Sequence, residues 1–331
     1  VELNGTANSG PALGNIAFDP VSQQLFVSDL DTGMIHRFDL DGNDLGTFDH
    51  GVTARPTTGL KPLAFDSKNR LDITSDAFKA DDPKSWALAK EGRRVWGLAV
   101  DGGRLYYAVA EGPQVWSVAI TAQGAFDDDP RLELDLPASF SPHPISDITF
   151  TADRKMILAQ RGGHQGSEEK DHHRSGDNAV IIFSLEIPDD KETPSVWVQE
   201  PEVVPVGKEA PYRQAAGGTA IGHGYKEDGT LDTAACKSSL WVTGDGLTTE
   251  GTETIDGLQG QRVTGFSASP TAPRDVDFVK IFGGGSDTGA GGVGDIAIHT
   301  DCAAEPLEEL AAYDEPTCPG DDPRCPLPYE E

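Results

Sequence analysis

Short apolar runs recur along this chain, each a few residues long and bounded by Asp, Gly, Pro or Ser. Ile16-Ala17-Phe18, Leu63-Ala64-Phe65, Leu98-Ala99-Val100, Ile148-Thr149-Phe150, Ile221 to Tyr225 and Ile296-Ala297-Ile298 are six echoes of one pattern. Steps of 47, 35 and 50 residues separate Ala17, Ala64, Ala99 and Thr149, the centres of the first four. The later steps are longer, which places insertions in the fourth and fifth units. A second apolar run follows most echoes: Leu25 to Ser28, Leu71 to Thr74, Leu105 to Ala108, Met156 to Ala159 and Leu240 to Thr243. Third runs follow at Met34 to Phe38, Gln114 to Ile120, Ala179 to Leu185 and Gln261 to Ser267. Runs this short, rich in branched and aromatic side chains and separated by turn residues, are antiparallel strands. With Leu45 to His50 as a fourth strand, the first unit packs four strands into about 40 residues, one blade of a β-propeller.

The expected fold is therefore all-β, a six-bladed propeller with an irregular last blade over residues 1–302. The second blade is the weakest, its third strand falling near Arg93 to Val95 or being replaced by a helical turn at Ser85 to Lys90. Residues 303–331 read as a Pro- and acid-rich extension or linker, which can lead to further domains. Val1 to Asn4 can supply an outer strand that closes the ring. The first unit resembles an NHL-type propeller repeat. Ile16-Ala17-Phe18-Asp19, Leu25-Phe26-Val27-Ser28-Asp29 and Ile35-His36-Arg37-Phe38-Asp39 carry the resemblance, which implies an architecture shared by many activities.

Composition narrows the partners. The 331 residues hold 26 Lys and Arg against 55 Asp and Glu, a formal charge of −29. Such a chain repels nucleic acid and anionic membrane surfaces, and no apolar run is long enough to span a bilayer. The acids are spread along the whole chain, which favours solubility in a salty or extracellular medium over dedicated cation binding. Four cysteines, Cys236, Cys302, Cys318 and Cys325, contain no Cys-x-x-Cys pair. That favours disulfides and an oxidising compartment: secreted, periplasmic or cell surface. Cys236 and Cys302 fall on the same face of neighbouring blades, so a Cys236–Cys302 bridge is expected, with Cys318–Cys325 closing a small loop. The other two pairings require the tail to fold back.

Antiparallel alternation sorts the loops by face. Loops between second and third strands share a face with the loops that enter each inner strand. On that face fall two long insertions, Arg161 to Asn178 and Gly244 to Gly260, and the Gly-rich entering loop Gly283 to Gly292. Long loops on one rim of a rigid scaffold are where binding resides. This rim is the expected binding surface for a protein or glycan, with Arg161, His164, Asp171, His172, Asp245 and Asp287 as its residues. His164, Glu168, Glu169, Asp171, His172 and His173 are ligand types for a transition metal. Their spacing matches no established metal motif, and a solvated loop explains them better.

A second constellation lies at the channel mouth, just before the inner strands: Asn15, Asp147 and Asp295, with His223 or His143 nearby. Six-bladed lactonases and arylesterases of the paraoxonase and gluconolactonase kind resemble this arrangement. The resemblance implies a calcium ion held by Asn15, Asp147 and Asp295, and a base at His223 or His143. Pro62 and Gly97 stand at the equivalent positions of the second and third blades, which thins the cage. A hydrated polar channel is the simpler account. Asp29, Asp31, Asp39, Asp41 and Asp44 crowd the first blade without an EF-hand frame, and turn formation explains them. No Gly-x-Ser-x-Gly or His-Glu-x-x-His motif is present. A complete catalytic set cannot be assembled, so a binding module is the first expectation and a calcium-dependent hydrolase the alternative.

Overall fold

The computed structural model describes residues 13–68, 74–79, 85–86, 88–110, 113–140, 143–162, 178–187, 196–232, 234–235, 237–250, 253–263, 273, 276–283 and 294–298. They form four antiparallel sheets of four strands, each sheet built in chain order. The first contains β1 (Leu13–Asp19), β2 (Gln24–Asp29), β3 (Met34–Asp39) and β4 (Asp44–Asp49). The second contains β5 (Val95–Asp101), β6 (Arg104–Val109), β7 (Gln114–Ala119) and β8 (Arg131–Asp135). The third contains β9 (Ile145–Phe150), β10 (Met156–Gln160), β11 (Val180–Ile187) and β12 (Val196–Val204). The fourth contains β13 (Ala215–Gly222), β14 (Ser239–Glu250), β15 (Glu253–Arg262) and β16 (Val276–Gly283).

The sheets stand beside one another as blades. β1 packs on β5, β5 on β9 and β9 on β13, so the first strand of each sheet lines a common interior. Each later first strand also meets the second strand of the preceding sheet: β5 on β2, β9 on β6 and β13 on β10. Side-chain alternation makes this stacking work, because successive residues of a strand face opposite neighbours. In β6, Leu105 and Tyr107 join Phe26, Ile35 and Phe48 in a core shared with the first sheet. Tyr106 and Ala108 join Leu158, Ile181 and Trp197 on the other side. In β10 and β11, Ile157, Val180 and Ile182 turn to Leu240 and Val242 of the fourth sheet. Middle strands buried on both faces read as continuous apolar runs.

The turns follow from Asp and Gly chemistry. Asp39 accepts hydrogen bonds from the backbone N–H of Asp41 (3.0 Å) and Asn43 (2.8 Å), and Gly42 takes φ 84°. Asp29 accepts from the N–H of Asp31 (2.9 Å), with Gly33 at φ 68°. Side chains that hydrogen-bond the backbone two residues on stabilise such turns, and glycine takes the left-handed position without steric cost.

Three expectations need correction. Leu63-Ala64-Phe65 is not an inner strand: residues 60–66 have no strand pairing. β1 and β5 pack directly together, which leaves no place for a blade between them. The companion run Leu71 to Thr74 lies largely outside the described residues. The fifth inner strand is Ala215–Gly222, not Ile221 to Tyr225, so it begins six residues earlier. The expected rim insertion Gly244 to Gly260 is a hairpin instead. β14 and β15 stay paired from Ser239↔Arg262 to Glu250↔Glu253, and the third strand is Glu253–Arg262 rather than Gln261 to Ser267.

Beyond the fourth sheet, Asp295 to Ile298 runs beside β13. A Cβ on Gly218 would lie 2.7 Å from Asp295 Cα, and one on Gly222 would lie 2.8 Å from the Ile298 side chain. The sixth echo thus occupies the next inner position, unpaired. Four complete blades and this segment are what the described residues contain. The expected extension, 303–331, lies outside them.

Candidate functional site

The first strands enter the interior at one rim, where their leading residues meet. Asn15 of β1 donates from Nδ2 to Ser146 O (3.1 Å) and to Asp147 Oδ1 (3.0 Å). It reaches the third sheet across the second because residue 97 of β5 is glycine. A Cβ there would stand 2.9 Å from the Asp147 nitrogen and 3.1 Å from its Cα. Asp147 is nearly sealed from solvent. Its Oδ1 also accepts from the Ile148 N–H (2.8 Å), and its Oδ2 accepts from the Thr219 N–H (2.6 Å) and hydroxyl (3.0 Å).

Small hydroxyl side chains continue the belt. Ser28 Oγ accepts from Asn15 N (2.8 Å) and donates to Trp96 O (2.6 Å). Ser146 Oγ donates to Gly217 O (2.7 Å), and Thr243 Oγ1 accepts from Gly218 N (2.8 Å). Four sheets are thereby tied at the mouth by side chains that fill backbone hydrogen-bonding needs between sheets and at the register breaks of β1/β2 and β13/β14.

Three charged residues stand around this belt. Arg161 follows β10, with its N–H bonded to Pro144 O (3.1 Å) and its guanidinium 5.8 Å from the centre of the Trp96 ring. Gly217 and Gly294 leave room for it: a Cβ on either would lie 2.8 Å from Arg161 atoms. Asp245, on β14, donates its N–H to Gln214 O (3.1 Å). Asp295 is exposed just before the sixth echo and accepts from the Ile296 N–H at 2.7 Å.

Electrostatics couple these groups. Burial, and then the charge of Asp295, push the Asp147 carboxyl up to about 8, while the donors from Thr219 and Asn15 pull it back. Desolvation raises Asp295, opposed by its bond from Ile296 and by the Arg161 charge. Burial and then the neighbouring Asp256 push Asp245 up to about 6, again opposed by Arg161. One guanidinium therefore lies in the field of two carboxylates from different parts of the chain. Arg161 and Asp245, read from sequence as rim residues, and Asp295, read as a channel residue, thus lie within electrostatic reach of one another.

Other expected members fall elsewhere. His223 lies beyond the end of β13, four residues after Thr219 and so about 13 Å along an extended strand. His143 accepts at its carbonyl from Gln160 Nε2 (3.1 Å) on the approach to β9. His164, Asp171, His172, Asp287, Cys236, Cys302, Cys318 and Cys325 lie outside the described residues. Sequence reading missed Ser28, Trp96, Ser146, Thr219 and Thr243, since small hydroxyls inside strands carry no motif.

The described part of the implied calcium set does not fit that ion. Calcium takes six to eight oxygen ligands, but both Asp147 oxygens are already engaged by four donors. Asn15 turns its amide nitrogen, not its oxygen, toward them, because Ser146 O and Asp147 Oδ1 are both acceptors. Among the described residues, no group of three or more His, Cys, Asp or Glu is placed to hold a metal ion.

No protein-family model and no curated protein matches the chain. Solved structures to which it is similar include the Dos1 propeller, at 9% identity and TM-score 0.37 over 75% of this chain and 43% of that one. Another is a gluconolactonase from Xanthomonas campestris, at 13% identity and TM-score 0.35 over 78% of this chain and 60% of that one. A third is the PQQ-bound aldose sugar dehydrogenase of Streptomyces coelicolor, at 14% identity and TM-score 0.34 over 83% of each chain. The chain spans less than two thirds of the first two structures. Likenesses this distant say nothing of activity.

Proposed function

We propose that this chain is a binding module, secreted or displayed at a cell surface, that takes a protein or glycan ligand at the channel mouth. The observation that carries the reading is the convergence of Arg161, Asp245 and Asp295 at one rim. A guanidinium offers a rigid fork of donors and two carboxylates offer acceptors, a set suited to hydroxyl-rich or peptide-like partners. Asp147 and Asn15 serve beneath them as structure: their hydrogen bonds are spent on one another and on backbone. A calcium-dependent hydrolase is the competing reading, and its cage would need ligands beyond the described residues.

The oxidising compartment and the pairings Cys236–Cys302 and Cys318–Cys325 belong to this proposal, as does the NHL-type character of the first blade. The test is a panel of immobilised glycans and peptides probed with the native chain and with Arg161→Gln and Asp295→Asn. Ligands of this site should lose about tenfold in affinity in each variant, as expected when a charge-assisted hydrogen bond is removed. Ligands held equally by all three proteins would place binding elsewhere.

A further inference from the structure

Most hydrogen-bonding groups at the channel mouth are already engaged. Four donors occupy the two Asp147 oxygens. Asp256, whose charge acts on Asp245, accepts from the Gly246 N–H at 2.7 Å. Arg161 differs. Its backbone N–H bonds Pro144 O, but among the described residues its guanidinium makes no hydrogen bond and no ion pair. None of its nitrogens is a buried atom lacking a partner, so the fork meets solvent. Asp245 and Asp295 lie in its field without touching it. Among the described residues Asp295 accepts only the Ile296 N–H, at Oδ1, and the Asp245 carboxylate accepts nothing.

The fork is held in place although no protein group uses it. The Trp96 ring lies 5.8 Å from the guanidinium carbon, a cation–π contact that steadies it. Residue 294 is glycine, and the three atoms nearest a Cβ there would all belong to the guanidinium: Nη1 at 2.8 Å, Cζ at 3.5 Å and Nη2 at 3.7 Å. Gly294 does not take the left-handed conformation that would itself call for glycine. What this glycine supplies is room for the fork.

A ligand here has to accept from Arg161 and donate to the acids. A simple anion faces two carboxylates. A simple cation faces the guanidinium and covers its donors without giving them an acceptor. A hydroxyl donates and accepts without charge, and two on adjacent carbons can do both at once. Resting on the reading that the mouth is the binding site, we propose that its ligand is a glycan held through a vicinal diol. Arg161 donates to one hydroxyl, Asp295 or Asp245 accepts from the other, and Gly294 is the positioning residue that leaves the fork free to reach them.

The experiment is an array of oligosaccharides with neutral, uronate and monodeoxy termini, beside a peptide library. The probes are the native chain, Arg161→Gln, Gly294→Ala and the double variant. Neutral glycans should bind, and their uronate counterparts should bind no tighter. Analogues lacking either hydroxyl of the diol should be at least about tenfold weaker, as when a site built for a hydroxyl loses it. Gly294→Ala should cost a similar factor at an unchanged melting temperature, because the tip of a flexible side chain can yield. In the Arg161→Gln background it should cost nothing further. A lowered melting temperature, or a full second loss in the double variant, would make Gly294 merely structural. Tighter binding of uronates would overturn the assignment in favour of an anion site, and deoxy analogues that bind as well as the parent would overturn the diol. An array without glycan binding would overturn the glycan class. Peptides bound through Arg161 would then leave the mouth reading standing, whereas ligands all indifferent to Arg161→Gln would remove it.

Discussion

Asn15 Nδ2 lies 3.0 Å from Asp147 Oδ1, joining the first and third inner strands across the second. The bond exists because β5 presents a glycine there. It ties residues 132 apart in sequence with a side-chain bond across the interior.

Gly97→Ala should be among the most damaging single-methyl additions. The new Cβ would meet backbone atoms of Asp147 at 2.9 and 3.1 Å, which cannot rotate away. Overpacking of this kind costs about 1–3 kcal/mol. Urea unfolding should show a lower midpoint at unchanged slope.

Asp147 makes stability depend on pH. Its folded value, about 8, lies above the ordinary 3.8. Its favourable contribution is therefore complete below the unfolded value and is lost as pH rises through about 8. Asp147→Asn should remove that loss, so the variant gains on the native protein in urea midpoint as pH rises from 4 to 9. A constant difference across that range would contradict the raised value.

His50 acts in the opposite sense. Burial, then the charges of Arg55 and Arg93, push it down to about 3, and its Nδ1 lies 3.1 Å from the Tyr107 hydroxyl. The unfolded chain binds this proton first, so stability falls as pH drops from about 6.5 toward 3. His50→Gln, which keeps a polar partner for Tyr107 without titrating, should flatten that acid limb in thermal melts.

Asp245 reports on the mouth directly. Carbon-detected titration should place its midpoint near 6, and Arg161→Gln should move it upward, because Arg161 opposes burial and Asp256 there. An unmoved midpoint would separate the two residues and weaken the site.

β2, β6 and β10 were legible because strands buried on both faces need apolar residues throughout, as in Leu105 to Ala108. β13, Ala-Ala-Gly-Gly-Thr-Ala-Ile-Gly, was misplaced because close neighbours demand small residues and erase the apolar signal. Gly217 faces Ser146 and Arg161, and Gly218 faces Asp295. The hairpin of β14 and β15 looked like a loop because its Gly, Thr and Glu content mimics one. Leu63-Ala64-Phe65 showed the converse: an apolar run that lines a cavity wall rather than joining a sheet. Asn15 and Asp147 lie inside β1 and β9 rather than just before them, and the role of Asp147 as a hydrogen-bond hub follows from that register, which no motif announces.

The most direct test of the central claim is metal content of the purified chain, with melts in calcium and in chelator. If the mouth is closed by hydrogen bonds and serves binding, the chain holds no stoichiometric calcium and its melting temperature is the same in both media. One calcium per chain, with a shift of several degrees of the size tight ligation produces that vanishes in Asp147→Asn, would contradict the account and establish the hydrolase reading as the one to pursue.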